Sequence, residues 1–157
     1  MHADTYIPRR LDDQWKIGFW DVDVAAPALL GLAERDDDEP GVGDLPLSGI
    51  PPEIRTTPAG RFVANMGRNL KGQDILWVDY ASGLSLHRVV TSNKAERRQE
   101  RLDSPTSRDN RISFGCINVP AAFYEAMVWP AFSRAPGIAY VLPATTPLPA
   151  ALASSRA

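Results

Sequence analysis

The chain carries one cysteine, Cys116, and two histidines, His2 and His87. A thiol is nucleophilic as its thiolate, and imidazole is the side chain best matched to taking up that proton near neutral pH. Cys116 and His87 could therefore form the nucleophile and base of an acyl-transfer site. His2 lies in a terminal segment expected to be mobile, which leaves His87 for the role. The imidazole of such a pair needs a third group to hold it. No Asp or Asn is marked out for this, and a backbone carbonyl near Arg88 could serve. By residue type alone the alternatives stay open: a lone cysteine is commonly a small buried apolar side chain, and a lone strand histidine is commonly structural.

The words around the cysteine add to the case. From Arg111 to Pro120 the chain reads Arg-Ile-Ser-Phe-Gly-Cys-Ile-Asn-Val-Pro, which predicts a strand-to-helix junction at Gly115 and Cys116. There the positive end of a helix would lower the thiol pKa. Gly115 would let the backbone turn sharply and leave room for a substrate carbonyl. The N–H groups of Phe114, Gly115 and Cys116 could then form an oxyanion hole, a device worth about 3 kcal/mol per donor.

The elements that must position these residues read as a mainly β domain: short strands separated by Gly, Pro, Asn and Asp, with 14 prolines in all. Strands are predicted at residues 60–66, 75–80, 84–91 and 137–142. In the third of these Ser85, His87 and Val89 share one face and Leu84, Leu86 and Val90 the other, so His87 projects from a rigid strand. Trp20, Val22 and Val24 alternate with Asp21 and Asp23 as in a half-buried strand, and residues 25–33 continue it in apolar form. Residues 35–52, with the acidic run Asp36-Asp37-Asp38-Glu39, read as an exposed loop too poor in apolar residues to pack, solvated rather than cation-binding.

Two helices complete the prediction. Residues 93–102 form one, capped by Asn93 with Glu96 at the reciprocal position. Its Lys94, Arg97, Arg98 and Arg101 could grip an anion, although a solvated face is the preferred reading. Residues 120–129 form the other, with Pro120 at the first position, Phe123, Met127 and Tyr124 toward the core, and Pro130 closing it.

With 157 residues the chain fits one domain: an N-terminal extension at 1–14, a catalytic domain at 15–142 and a flexible tail at 143–157. Lys+Arg 17 against Asp+Glu 19 gives no basic field, so no nucleic-acid partner is expected. One cysteine and one non-terminal histidine make a poor metal site, so neither a metal nor another cofactor is expected. No stretch approaches the roughly 20 apolar residues of a membrane span. A monomer is expected.

Ser113-Phe114-Gly115-Cys116-Ile117-Asn118 resembles the Ser-His-Gly-Cys-Ile-Arg/Asn signature of the L,D-transpeptidase (YkuD-type) catalytic domain. Thr57-Pro58-Ala59-Gly60-Arg61-Phe62 is similar to that family's Thr-Pro-x-Gly-x-Phe segment, and His87 falls where its catalytic histidine ends a strand. The likeness spans roughly residues 25–142. It implies a β-sandwich or barrel with one helix after the cysteine, Cys116 as nucleophile, His87 as base, and Ser113, Arg88 and Asn118 in support.

The implied reaction is on peptidoglycan stem peptides in the periplasm or cell envelope. Cysteine attacks the carbonyl between a diamino acid and a terminal D-alanine, and the thioester passes to an amine. With water as acceptor the same site is an L,D-carboxypeptidase or cross-link hydrolase, and with an inert cysteine the domain only binds peptidoglycan.

The chain departs from the family pattern in four places. Phe114 replaces a histidine, and Arg88 replaces a glycine or serine. The interval from His87 to Cys116 is long, so its helix is either a lid or a tolerated insertion. Only residues 15–24 stand ready to supply the pair of strands with which such domains begin.

Overall fold

A computed structural model describes residues 6–11, 14–19, 25–37 and 39–143. The fold is mainly β. Eight strands form one sheet in the order β3-β2-β1-β10-β5-β6-β7-β9, and β4 pairs with β8 in a second, two-stranded sheet. The strands are β1 (Tyr6–Leu11), β2 (Gln14–Phe19), β3 (Ala25–Pro27), β4 (Leu30–Gly31), β5 (Gly60–Arg68), β6 (Asp74–Asp79), β7 (Leu84–Arg88), β8 (Arg111–Ser113), β9 (Ile117–Val119) and β10 (Gly137–Val141). The predicted strands at 60–66, 75–80, 84–91 and 137–142 match β5, β6, β7 and β10 to within a few residues.

The N-terminal part differs from expectation. The opening pair of strands is the antiparallel hairpin β1–β2, and β1 also lies parallel to β10, so the sheet draws on the stretch set apart as an extension. The alternating residues Trp20, Val22 and Val24, like the tail from 144 onward, lie outside the described residues.

β5, β6 and β7 form an antiparallel meander, and β9 then adds to β7 in parallel. A parallel neighbour cannot be reached by a tight turn and needs a crossover of a dozen or more residues. The long interval between His87 and Cys116 is that crossover. It holds a 3₁₀ turn (Lys94–Glu96), helix α1 (Arg98–Asp103), a second 3₁₀ turn (Ser107–Asn110) and β8. The predicted helix over 93–102 is thus split. Asn93 caps it as expected, accepting from the Ala95 N–H at 3.1 Å, but Arg97 adopts a left-handed conformation (φ 51°) between the two pieces. Glu96 makes no reciprocal cap through its side chain; its carboxylate lies 2.6 Å from the Arg98 guanidinium.

The helical segment 121–132 covers the core, starting after Pro120, whose carbonyl accepts from the Tyr124 N–H at 3.0 Å. Tyr124, Val128 and Phe132, spaced by four, are buried, with Phe123 beside them. Each large apolar side chain buried this way contributes about 1.5–3 kcal/mol. Pro130 does not close the helix. A π turn, Tyr124–Val128, precedes it, with the Trp129 N–H reaching back to the Tyr124 carbonyl, and helix continues over Trp129–Phe132. The wider turn accommodates a residue that has no N–H to give and crowds the carbonyl four positions back. Beneath lie Leu76, Val78, Leu84, Leu86, Ile117 and Val119 from the strands that carry the site.

Candidate active site

Strand register brings the chemistry together. β7 and β9 pair with Leu86 beside Ile117, His87 beside Asn118 and Arg88 beside Val119. One step back, Ser85 stands beside Cys116. Opposed residues in a sheet share a face and alternate along each strand, so Ser85 and His87 lie on the face of Cys116 and Asn118, while Leu84, Leu86 and Ile117 point into the core. A slip of one residue would send the thiol to the core and leave the imidazole alone.

Cys116 does not precede a helix directly. It occupies the bend between β8 and β9, and β9 separates it from the first helical turn at Ala121–Phe123. A helix-terminal field fades within a turn, so the thiol takes its character from side chains instead. Ser85 Oγ lies 3.3 Å from Cys116 Sγ. Burial would raise the thiol pKa, but hydrogen bonding and charge from His87, with the Ser85 hydroxyl and N–H, hold it below the ordinary thiol value. For His87, burial acts to lower the pKa. The hydrogen bond and charge of Cys116, with the Arg88 carbonyl, outweigh it and raise the imidazole above its usual value. Both shifts favour the thiolate–imidazolium pair. Cys116 as a residue is only partly exposed.

His87 Nδ1 lies 2.7 Å from the Arg88 carbonyl oxygen. Only a protonated Nδ1 can donate there, which leaves Nε2 to exchange a proton with the thiol. Arg88 is itself fixed. Its guanidinium lies 4.3 Å from the centre of the Tyr124 ring and pairs with Asp74 at 3.2 Å and Glu125 at 3.1 Å. The group that holds the imidazole is therefore the Arg88 carbonyl.

The loop that carries Cys116 is clamped from several sides. Ser113 Oγ donates to the Cys116 carbonyl at 2.7 Å and accepts from the Gly115 N–H at 3.1 Å. Asn118, fully buried, donates to the same carbonyl at 3.3 Å and accepts from the Val90 N–H and from Arg98 at 3.0 Å. Thr57 accepts from the Gly31 N–H at 2.8 Å and donates to the Gly115 carbonyl at 2.6 Å. Gly115 has φ 137°, and a Cβ there would lie 2.7 Å from the Thr56 carbonyl oxygen, so only glycine fits.

Ser113 and Asn118 thus hold the loop, and the three-donor oxyanion hole is revised. The Gly115 N–H is occupied by Ser113, whereas among the described residues the N–H groups of Phe114 and Cys116 have no partner.

Beside the sulfur lies a cleft of about 70 Å³. Its floor is Phe114, Gly115 and Cys116, and one wall is Ser82, Gly83 and Leu84. The other wall comes from the stretch expected to be an unpacked loop. That stretch folds into 3₁₀ turns, Val42–Asp44 and Leu47–Gly49, with a third at Pro52–Ile54. Val42 and Ile50 are buried, while Leu45 and Leu47 remain exposed along the cleft. Composition averaged over the stretch concealed these four well-spaced apolar residues. Within the acidic run, Arg35 pairs with Asp37 and Glu39.

None of residues 93–110 lines the cleft, so the crossover is not its lid. Arg98, expected on a solvated face, is buried against Glu96 and Asn118 and ties the crossover to β9. Phe114 carries the Arg55 guanidinium 4.2 Å from its ring centre, so a cation packs on the residue that stands where the signature has histidine.

Sequence reasoning left Ser85, Thr57 and Arg98 without these roles. Ser85 alone carried a signal, its place two residues before His87 on the same face. Among the described residues no group of three or more His, Cys, Asp or Glu could hold a metal ion, and no helix is long and apolar enough to cross a membrane. No protein-family model matches the chain, and no curated protein matches it.

Proposed function

We propose that the chain is a cysteine-dependent acyl transferase acting on peptidoglycan stem peptides through a thioester acyl-enzyme, on an L,D-transpeptidase-like β-sandwich. The observation that carries this reading is the aligned set of Ser85 Oγ, Cys116 Sγ, His87 and the Arg88 carbonyl beside an open cleft. The likeness of the Ser113–Asn118 and Thr57–Phe62 segments to the family signature supplies the substrate class.

Cys116 thiolate attacks the carbonyl carbon between the diamino acid and the terminal D-alanine. The C–S bond forms as the carbonyl π pair moves to oxygen. The re-formed carbonyl then expels the amine of D-alanine, which takes the proton held by His87 Nε2. Neutral His87 next accepts a proton from the incoming amine, whose attack on the thioester forms the new amide and releases the thiolate. Such a substrate lies in the periplasm or cell envelope.

The test is a stem tetrapeptide ending in D-alanine, incubated with and without a second stem peptide bearing a free amine. Release of D-alanine coupled to formation of the peptide dimer is expected. Release to water alone would reassign the site as a carboxypeptidase, and no release from folded protein would remove the reading.

A further inference from the structure

Leu45 and Leu47 are 43% and 62% exposed, and both line the cleft beside Cys116. A single exposed leucine on a protein surface is ordinary. This pair differs in being held against a nucleophile. On one side, Gly43 lies so close to the turn before β7 that a Cβ there would meet the Ala81 carbonyl oxygen at 2.1 Å. Gly83 in the same turn has its carbonyl oxygen 3.6 Å from Cys116 Sγ. On the other side, the Ile50 carbonyl accepts from Arg55 Nε at 2.8 Å, and the Arg55 guanidinium packs on Phe114 in the cleft floor. Between these anchors the Leu45 N–H donates to the Val42 carbonyl and the Ile50 N–H to the Leu47 carbonyl, each at 3.2 Å. The leucines thus belong to a wall tied to the site at both ends.

Val42, Ile50, Pro58, Leu84 and Phe114 extend the apolar lining, and among the described residues no charged side chain joins it. Such a surface favours each carbon it covers and offers no partner to a charge taken out of water. One water occupies ~10–15 Å³ on the same scale, so a cleft of about 70 Å³ admits a group of about five non-hydrogen atoms, the size of a short aliphatic branch.

We infer that the cleft takes an aliphatic, uncharged part of the acyl donor, and that Leu45 and Leu47 are the residues that select it. The inference rests on the acyl-transfer reading above and narrows its substrate. A carboxylate or ammonium of the donor stays outside the cleft. A diamino acid meets that demand through the methylene stem of its side chain, with the charged end reaching water past the exposed leucines.

The test alkylates the full chain with three reagents that share one reactive group: iodoacetamide, N-isobutyl iodoacetamide and N-carboxymethyl iodoacetamide. Each rate is divided by that of a free peptide thiol, so that intrinsic reactivity cancels. The isobutyl reagent is expected to gain about tenfold over iodoacetamide, as when roughly two of its four carbons leave water, and the carboxymethyl reagent to gain nothing. The double variant Leu45→Ser/Leu47→Ser is expected to lose the isobutyl gain. If that variant does not fold, Leu47→Ser alone is expected to lose part of it. Equal relative rates for all three reagents, a larger gain for the carboxymethyl reagent, or an isobutyl gain that survives the substitutions in folded protein would overturn the inference. A gain that falls as protein concentration rises would assign the leucines to a second copy of the chain instead. Folded wild-type protein that prefers the isobutyl reagent yet gains no mass from a carbapenem would remove the acyl-transfer reading and leave the cleft to an apolar ligand of another kind.

Discussion

Thr56 and Thr57 are adjacent, buried and chemically identical, yet replacing each with valine should have opposite consequences. Thr57 joins two distant parts of the chain, accepting from the Gly31 N–H at 2.8 Å and donating to the Gly115 carbonyl at 2.6 Å. Valine keeps the shape and strands both backbone groups. A buried polar group left unpaired costs about 1–3 kcal/mol, so Thr57→Val, which strands two, should lose about 2–6 kcal/mol, a large part of the roughly 5–15 kcal/mol that holds a domain of this size. Thr57→Ser should restore most of it, because the hydroxyl is what counts. Thr56→Val breaks no bond and should leave stability unchanged or slightly higher. Urea unfolding followed by tryptophan fluorescence, with linear extrapolation, measures all three. A loss below about 0.5 kcal/mol for Thr57→Val, or equal losses at both positions, would refute the assignment of hydrogen bonds on which this reasoning depends.

Ser85→Ala removes the hydroxyl beside the sulfur, so the thiol pKa should rise and iodoacetamide alkylation at pH 7 should slow several-fold, with the rate recovering at alkaline pH; an unchanged pH profile would show that Ser85 does not act on the thiolate. The wild-type alkylation rate should reach half its plateau below the ordinary thiol pKa of 9.0, because His87 and Ser85 lower that of Cys116. The two partners contribute to stability in opposite pH directions. His87, raised on folding, contributes fully below its ordinary value of 6.5 and less as pH climbs through its raised pKa. Cys116, lowered on folding, contributes fully above 9.0 and less as pH falls through its lowered pKa. Replacing Cys116 with alanine should therefore return the His87 titration, followed by NMR, toward lower pH. Arg98→Met should cost about 2 kcal/mol in urea unfolding, less than a fully buried pair would, because its partner Glu96 can still reach water; no change would mean that the crossover is not tied to β9 through this side chain.

How far the sequence could be read depended on the range of each interaction. Cys116, His87 and the Arg88 carbonyl were legible because residue type and a two-residue period suffice to name them. The register of β7 against β9 was not, and with it went the part played by Ser85: β9 is only three residues long, too short to show an alternation. That brevity also made the chain seem to run from Cys116 straight into a helix. Strand β1 carries Pro8, Arg9 and Arg10 and has no clean alternation, so it passed for an extension. Thr57 acts on a residue 58 positions away, and nothing local to Thr57 indicates this. Arg98 looked like one more solvated charge because its partner, Asn118, arrives only when the crossover folds back.

The most direct test of the central claim is the intact mass of the protein after exposure to excess carbapenem, beside Cys116→Ala treated in the same way. Opening of the β-lactam ring by the thiolate retains every atom of the drug, so wild-type protein should gain the full carbapenem mass once and Cys116→Ala should gain nothing. Folded wild-type protein that gains no mass, or an alanine variant that gains it equally, would contradict the assignment of Cys116 as an acyl-transfer nucleophile.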